Sequence, residues 1–152
     1  MMKSIIIYES KHHGNTKKLV DAIAKKYDME TVNAIDNIEI DFSKYDLIGF
    51  ASGIDFSRFY DNVTAYAEKL PSGKKVFFLY TCASNRKDFS IDIKQRVEAC
   101  GSIPVGTYGC KGYNTYGPWK LIGGMNKNHP SLDEIQKAID FVGGIKQITS
   151  RI

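Results

Sequence analysis

Residues 4–16 read Ser4-Ile5-Ile6-Ile7-Tyr8-Glu9-Ser10-Lys11-His12-His13-Gly14-Asn15-Thr16, and the two halves of this stretch ask for different backbones. Three isoleucines and a tyrosine in a row suit a strand covered on both faces, where β-branched side chains pack well. The run that follows is polar, carries a glycine, and leads into Leu19, Ile23 and Tyr27 at helical spacing. Val20 and Ala24 widen that apolar stripe. Strand, polar loop and amphipathic helix open a βαβ unit, so a first strand is expected at Ser4–Tyr8 with a parallel sheet around it.

Working outward, short apolar runs alternate with segments of helical period. Further strands are expected at Glu30–Ala34, Asp46–Ala51, Val76–Tyr80 and about Pro104–Tyr108, and residues 35–45 leave room only for a brief connector. A helix stripe runs through Phe59, Val63, Tyr66 or Ala67, and Leu70, closed by Pro71-Ser72-Gly73; Ile93, Val97 and Cys100 mark the next, before Gly101. The last helix has a clear start, because Ser131 and Glu134 form a capping box in which each side chain bonds the other's backbone N–H. Leu132, Ile135, Ile139 and Val142 continue it, with Gly143-Gly144 expected to end it. The pattern is that of one α/β domain over 1–152, with a doubly wound, five-stranded parallel sheet and helices on both faces.

The composition of the 152 residues, 43% hydrophobic and 25% charged, is that of an ordinary globular domain. No apolar run approaches the roughly 18 residues of a membrane span, and the one near the N-terminus is too short for a signal core, so a cytoplasmic protein with no membrane role is expected. Cys82, Cys100 and Cys110 are odd in number and lack metal-ligand spacing, which suggests reduced thiols and no metal. A net charge of +4 is spread over lysine pairs, with no basic arm for nucleic acid.

In an open parallel sheet, ligands bind beyond the carboxyl ends of the strands. The first such loop, Ser10 to Thr16, offers hydroxyls, an amide, a glycine and basic side chains at a helix N-terminus, where free N–H groups and the helix dipole favour phosphate. A plain helix cap with solvated Lys and His is the bland alternative. The loop lacks the acidic pair of a response-regulator receiver and the cysteine and arginine of a low-molecular-weight tyrosine phosphatase. It also lacks the lysine after the last glycine of a Walker A loop.

Strand, Tyr8-x-Ser10, a short gap, Gly14-Asn15-Thr16 and an amphipathic helix resemble the phosphate loop of flavodoxins, and the order and spacing of elements agree along the whole chain. The resemblance implies strand order 2-1-3-4-5 and flavin mononucleotide (FMN) as cofactor. Its phosphate would lie on Ser10, Lys11, His12, His13, Gly14, Asn15 and Thr16. Three residues separate Ser10 from Gly14 where the commonest flavodoxin pattern has two, so the loop should bulge by one. The resemblance places Ser52, Gly53, Ile54, Asp55 and Phe56 against one face of the flavin ring, with a Gly53 peptide able to flip. It places Thr81, Cys82, Ala83, Ser84 and Asn85 at the pyrimidine edge.

The segment Gly106 to His129 holds six of the thirteen glycines, the only tryptophan (Trp119), and Tyr108, Tyr113 and Tyr116. It is too long for mere linkage. It resembles an insertion in a branch of the flavodoxin family outside the acidic carriers, and Lys111, Gly112 and Tyr113 are expected at the flavin as lid or rim, the alternative being a surface flap.

Lys11, Arg58, Arg86, Lys87, Lys111 and Lys120 fall beside these loops, so a less reducing flavin and an acidic protein partner or anionic small molecule are expected. Three functions follow: electron transfer between protein partners, an FMN-dependent NAD(P)H/quinone-type reductase, and a non-redox phosphate-ligand or scaffolding module.

Overall fold

The sheet grows outward from β1 (Ser4–Glu9), which is buried along its whole length. On one side β1 pairs in parallel with β2 (Glu30–Asn33), and on the other with β3 (Leu47–Asp55). β4 (Arg58–Phe59) folds back antiparallel on the end of β3. β5 (Lys75–Cys82) lies beside β3, and β6 (Ile103–Lys111) beside β5, all parallel. The order is β2-β1-β3-β5-β6 with β4 as an appendage, which is 2-1-3-4-5 when the parallel strands alone are counted. The computed structural model describes residues 2–11, 13–84, 87–113 and 127–150.

Alternation along each strand divides the core in two. Ile5, Ile7, Ile48, Phe50, Val76 and Phe78 face α2 (Asp61–Ala67) and α3 (Ile91–Ala99), meeting Val63, Tyr66, Ile93 and Val97. Ile6, Leu47, Ala51, Phe77 and Leu79 face α1 (Asn15–Tyr27) and α4 (Leu132–Ser150), meeting Leu19, Val20, Ile23, Ala138 and Val142. Both faces of the central strands are covered, so their apolar runs follow from burial on two sides.

The strands outrun the apolar pattern at their carboxyl ends. The pattern stops at Tyr8, Ala51, Tyr80 and Tyr108; the backbone stays extended to Glu9, Asp55, Cys82 and Lys111. Apart from Ile54 the added positions are small or polar, and ladder pairing such as Gly53 with Thr81 and Thr81 with Cys110 holds them where apolar burial does not. Residues 51–55 are therefore strand and not loop. The chain reverses at Phe56-Ser57, whose φ values of 51° and 65° give the handedness of a type I′ hairpin turn.

That hairpin shifts the next helix. α2 begins at Asp61, whose carboxylate suits a first turn, and Phe59 belongs to β4, buried in the core as its apolar character requires.

The capping box forms: Glu134 Oε1 accepts from Ser131 N at 2.9 Å and Ser131 Oγ accepts from Glu134 N at 3.1 Å. α4 does not stop at Gly143-Gly144. A Cβ on Gly143 would lie 2.3 Å from the Tyr27 hydroxyl, which itself donates to Ile139 O at 2.9 Å, so this glycine admits a neighbour and breaks nothing. The buried face of α4 runs through Ala138, Val142 and Ile145, and Leu132 is exposed.

Candidate functional site

β1 ends in a turn that stands α1 on the edge of the sheet. His13 and Gly14 adopt consecutive left-handed conformations, φ 55° and 65°. Ser10 Oγ accepts from Lys17 N at 3.2 Å and Gly14 O from Lys18 N at 3.0 Å, closing the turn. The first turn of α1 has no acidic side chain, while Lys25 and Lys26 occupy its last turn. The positive end of the dipole is thus left for a ligand.

Asn15 and Thr16 point inward. The Thr16 hydroxyl is 2.9 Å from that of Thr81. Asn15 Nδ2 donates to Tyr113 O at 2.7 Å, while the buried Asn15 Oδ1 has no partner among the described residues. A buried acceptor left unpaired costs about 1–3 kcal/mol, which a ligand hydroxyl or N–H would offset.

These residues form one wall of an open cleft of about 110 Å³ at the carboxyl ends of the strands. Ser10, Lys11, Asn15 and Thr16 line the phosphate-loop side, Gly53 and Ile54 the end of β3, and Thr81, Cys82 and Ala83 the end of β5. Gly112 and Tyr113 close it from beyond β6. Gly112 is required there, since a Cβ would stand 2.6 Å from Asn15 Nδ2.

Other expected residues lie off this lining. Ser52 is fully buried; its Oγ donates to Gly53 O at 2.5 Å and accepts from Tyr60 N at 2.9 Å, so it braces the hairpin. Asp55 and Phe56 border a neighbouring recess, with Phe56 94% exposed at the turn. Gly14 is the cap residue of α1, and His13 stands outside the cleft, stacked on the Tyr113 ring at 4.0 Å. Ser84 and Lys111 also flank the cleft without lining it. His12, Asn85, Arg86 and Tyr116 to Lys120 fall outside the described residues. The positive rim is partly matched by carboxylates, Lys11 lying 3.6 Å from Glu9 and Arg58 3.2 Å from Asp61.

Sequence reasoning missed two residues. Tyr60 lines the cleft and carries the Lys11 ammonium on its ring at 4.2 Å. Its hydroxyl fills the place a Gly53 side chain would take, 2.3 Å from where a Cβ would stand. Asp61 was the available signal, because an acidic first turn puts Tyr60 just ahead of the helix. Gly53 therefore admits Tyr60 from within a strand. Glu9 is the second: 2% exposed, it also accepts from Asn62 Nδ2 at 3.0 Å.

Cys82 and Cys110 do not face each other as a pair. Cys82 packs into the α2–α3 core and Cys110 into the α1–α4 core. Burial pushes the Cys82 thiol up to about 11 and that of Cys110 up to about 12, which disfavours the reactive thiolate. Among the described residues no cluster of His, Cys, Asp and Glu could hold a metal, and no helix is long and apolar enough to cross a membrane.

The flavodoxin domain family model matches residues 5–105. An uncharacterized protein of Methanocaldococcus jannaschii is 37% identical over 148 residues, covering 95% of this chain and 98% of its own. Among solved structures, Fusobacterium nucleatum flavodoxin bound to flavin mononucleotide superposes with a TM-score of 0.62 at 16% identity, over 96% of this chain and 98% of that one. The rubredoxin:oxygen oxidoreductase of Desulfovibrio gigas gives 0.71 at 11% identity, over 98% of this chain and 36% of its own length. At these identities the two structures speak for the fold alone.

Proposed function

We propose that this chain, which belongs to the flavodoxin domain family, binds FMN in the cleft and passes electrons between protein partners. One observation carries the reading: the start of α1, with no acidic side chain in its first turn, and the side chain of Asn15 border a cleft walled by the ends of β3, β5 and β6. The cleft lies where strand order reverses, between β1 and β3. The residues fit the cofactor. The Ser10–Thr16 loop would take the phosphate, through the backbone N–H groups of the helix start, the hydroxyl of Ser10 and the charge of Lys11. Asn15 Oδ1 would accept from a ribityl hydroxyl. Gly53, Ile54 and Tyr60 would bound one side of the ring, and Thr81, Cys82 and Ala83 its polar edge through their backbone.

When bound, FMN supplies one- and two-electron chemistry. The chain's part is to orient the group, exclude water from one side and set the surrounding charge. Exposed Lys87 and Lys111 beside the cleft would steer an acidic protein surface, so encounter should slow as salt rises.

An absorption spectrum of the purified protein, with FMN titrated in, tests the reading. Saturable one-to-one binding with bands near about 375 and 450 nm, typical of oxidised flavin, supports it. No binding at micromolar FMN overturns it and leaves a non-redox ligand. Fast reduction by NADH or NADPH followed by quinone turnover would replace the carrier with a reductase.

A further inference from the structure

Gly112 and Tyr113, directly beyond β6, are fastened to the phosphate loop. Asn15 Nδ2 donates to Tyr113 O at 2.7 Å, and Gly112 packs on the Asn15 amide so closely that no Cβ would fit. Gly112 N donates to Cys82 O at 2.9 Å and Tyr113 N to His129 O at 3.0 Å, which fixes the backbone leading into the tyrosine. The Tyr113 ring then lies on the His13 imidazole, centroids 4.0 Å apart and planes within 10°. Tyr113 lines the cleft and His13 stands behind it, exposed, in the left-handed turn that starts α1.

From this geometry we propose that the His13–Tyr113 stack is a latch on the phosphate end of the cleft. It ties occupancy of the phosphate loop to the position of Gly112 and Tyr113. The inference rests on the FMN reading and adds how the ligand is retained. The ring of Tyr113 is engaged by the loop's own histidine, so its role is to hold the turn and close the wall beside the phosphate. An anion that orders the turn orders His13, which seats Tyr113; a seated Tyr113 in turn holds the turn in its binding shape. Such coupling is reciprocal. It favours a ligand carrying a phosphomonoester over the same ring system without one. Stacked aromatic pairs contribute enough that losing one should change retention about three- to tenfold.

The test is the dissociation rate of FMN and of riboflavin, which lacks the phosphate, from four proteins: unmodified, Tyr113→Leu, His13→Asn and the double variant. Asn tolerates the left-handed backbone at position 13, so its loss is that of the ring. Tyr113→Phe keeps the stack and serves as the rescue. The latch predicts that each single variant speeds FMN release about three- to tenfold, that the double variant adds little more, and that Tyr113→Phe stays near the unmodified rate. Riboflavin release should change by less than half as much. Equal effects on both ligands, additive effects of the two substitutions, or unchanged rates overturn the latch while leaving FMN binding standing. FMN that fails to bind the unmodified protein overturns both readings together.

Discussion

Two glycines on β3 make the same contact in different places. A Cβ on Gly49 would stand 2.3 Å from the Phe77 ring; a Cβ on Gly53 would stand 2.3 Å from the Tyr60 hydroxyl. Phe77 is fully buried in the core under α1 and α4, and its ring touches Phe141 edge-on at 6.4 Å. Tyr60 reaches over the end of the strand into the cleft, with Lys11 on its ring. In the core the missing side chain lets an aromatic ring complete the packing between strands. At the rim the same omission lets an aromatic side chain shape a binding wall. Close approach is one device, and its consequence depends on whether the intruding group has somewhere else to go.

The comparison breaks first under Gly49→Ala. Phe77 cannot retreat, so overpacking should cost about 3 kcal/mol, read as a lower urea midpoint with an unchanged slope. A loss under about 1 kcal/mol would mean that the core is as compliant as the rim. Gly53→Ala should behave differently, because the Tyr60 hydroxyl is the end of a side chain beside open space. A stability loss of about 1 kcal/mol is expected, with FMN affinity down about tenfold as Tyr60 swings into the cleft. Adding Tyr60→Phe should restore part of that affinity; titrations of the single and double variants decide it.

The difference between core and rim also governs what could be read from the amino acids. Ile5-Ile6-Ile7 and Val76–Tyr80 announce central strands because burial on two faces demands unbroken apolar runs. Nothing comparable announces Ser52-Gly53 or Thr81, which stay extended through backbone ladders and hydroxyl bonds that leave no periodic trace. The cleft could be located from Ser10, Gly14, Asn15 and Thr16, since a helix start rich in small polar residues has a local cause. Tyr60 is harder to assign, because Phe59 satisfies helical spacing and hides the hairpin, leaving the acidic first turn at Asp61 as the one signal. The hairpin itself turns on Phe56 and Ser57, neither a residue that ordinarily favours positive φ. Gly143-Gly144 misleads in the opposite direction: a pair that usually ends a helix here admits Tyr27.

Thr16 and Thr81 bring the two regions together, their hydroxyls bonded beneath the cleft. Thr16→Val leaves the buried Thr81 hydroxyl without that partner and should cost about 1–2 kcal/mol, with the valine pair at both positions recovering about half. Recovery of FMN affinity in the pair as well would show that the bond supports the rim only through the fold. Ser131→Ala lies far from both glycines. It should cost about 1 kcal/mol through the lost cap and leave flavin affinity unchanged. Glu134 in the same box sits below its ordinary 4.5: burial pushes it up, but hydrogen bonds from Ser131 and His129 outweigh that. Its stabilisation is therefore present above about pH 4.5 and lost as pH falls through the lowered folded value, so Glu134→Gln should flatten the acid limb of a stability–pH curve.

The smallest effect is the sharpest on location. Cys82 and Cys110 are both buried and both pushed up by burial, yet Cys82 lines the cleft and Cys110 belongs to the core below α1 and α4. Disulfide-exchange labelling at neutral pH should modify half-buried Cys100 first and both buried thiols slowly. Added FMN should slow Cys82 further, because the ligand covers its approach, and should affect Cys110 only as far as it stabilises the whole fold. Riboflavin at equal occupancy should protect Cys82 as well, since the ring side of the site, not the phosphate loop, covers that strand end. Equal protection of the two thiols would mean that the cleft opens only when the core does, and the distinction between Gly49 and Gly53 would then be one of degree.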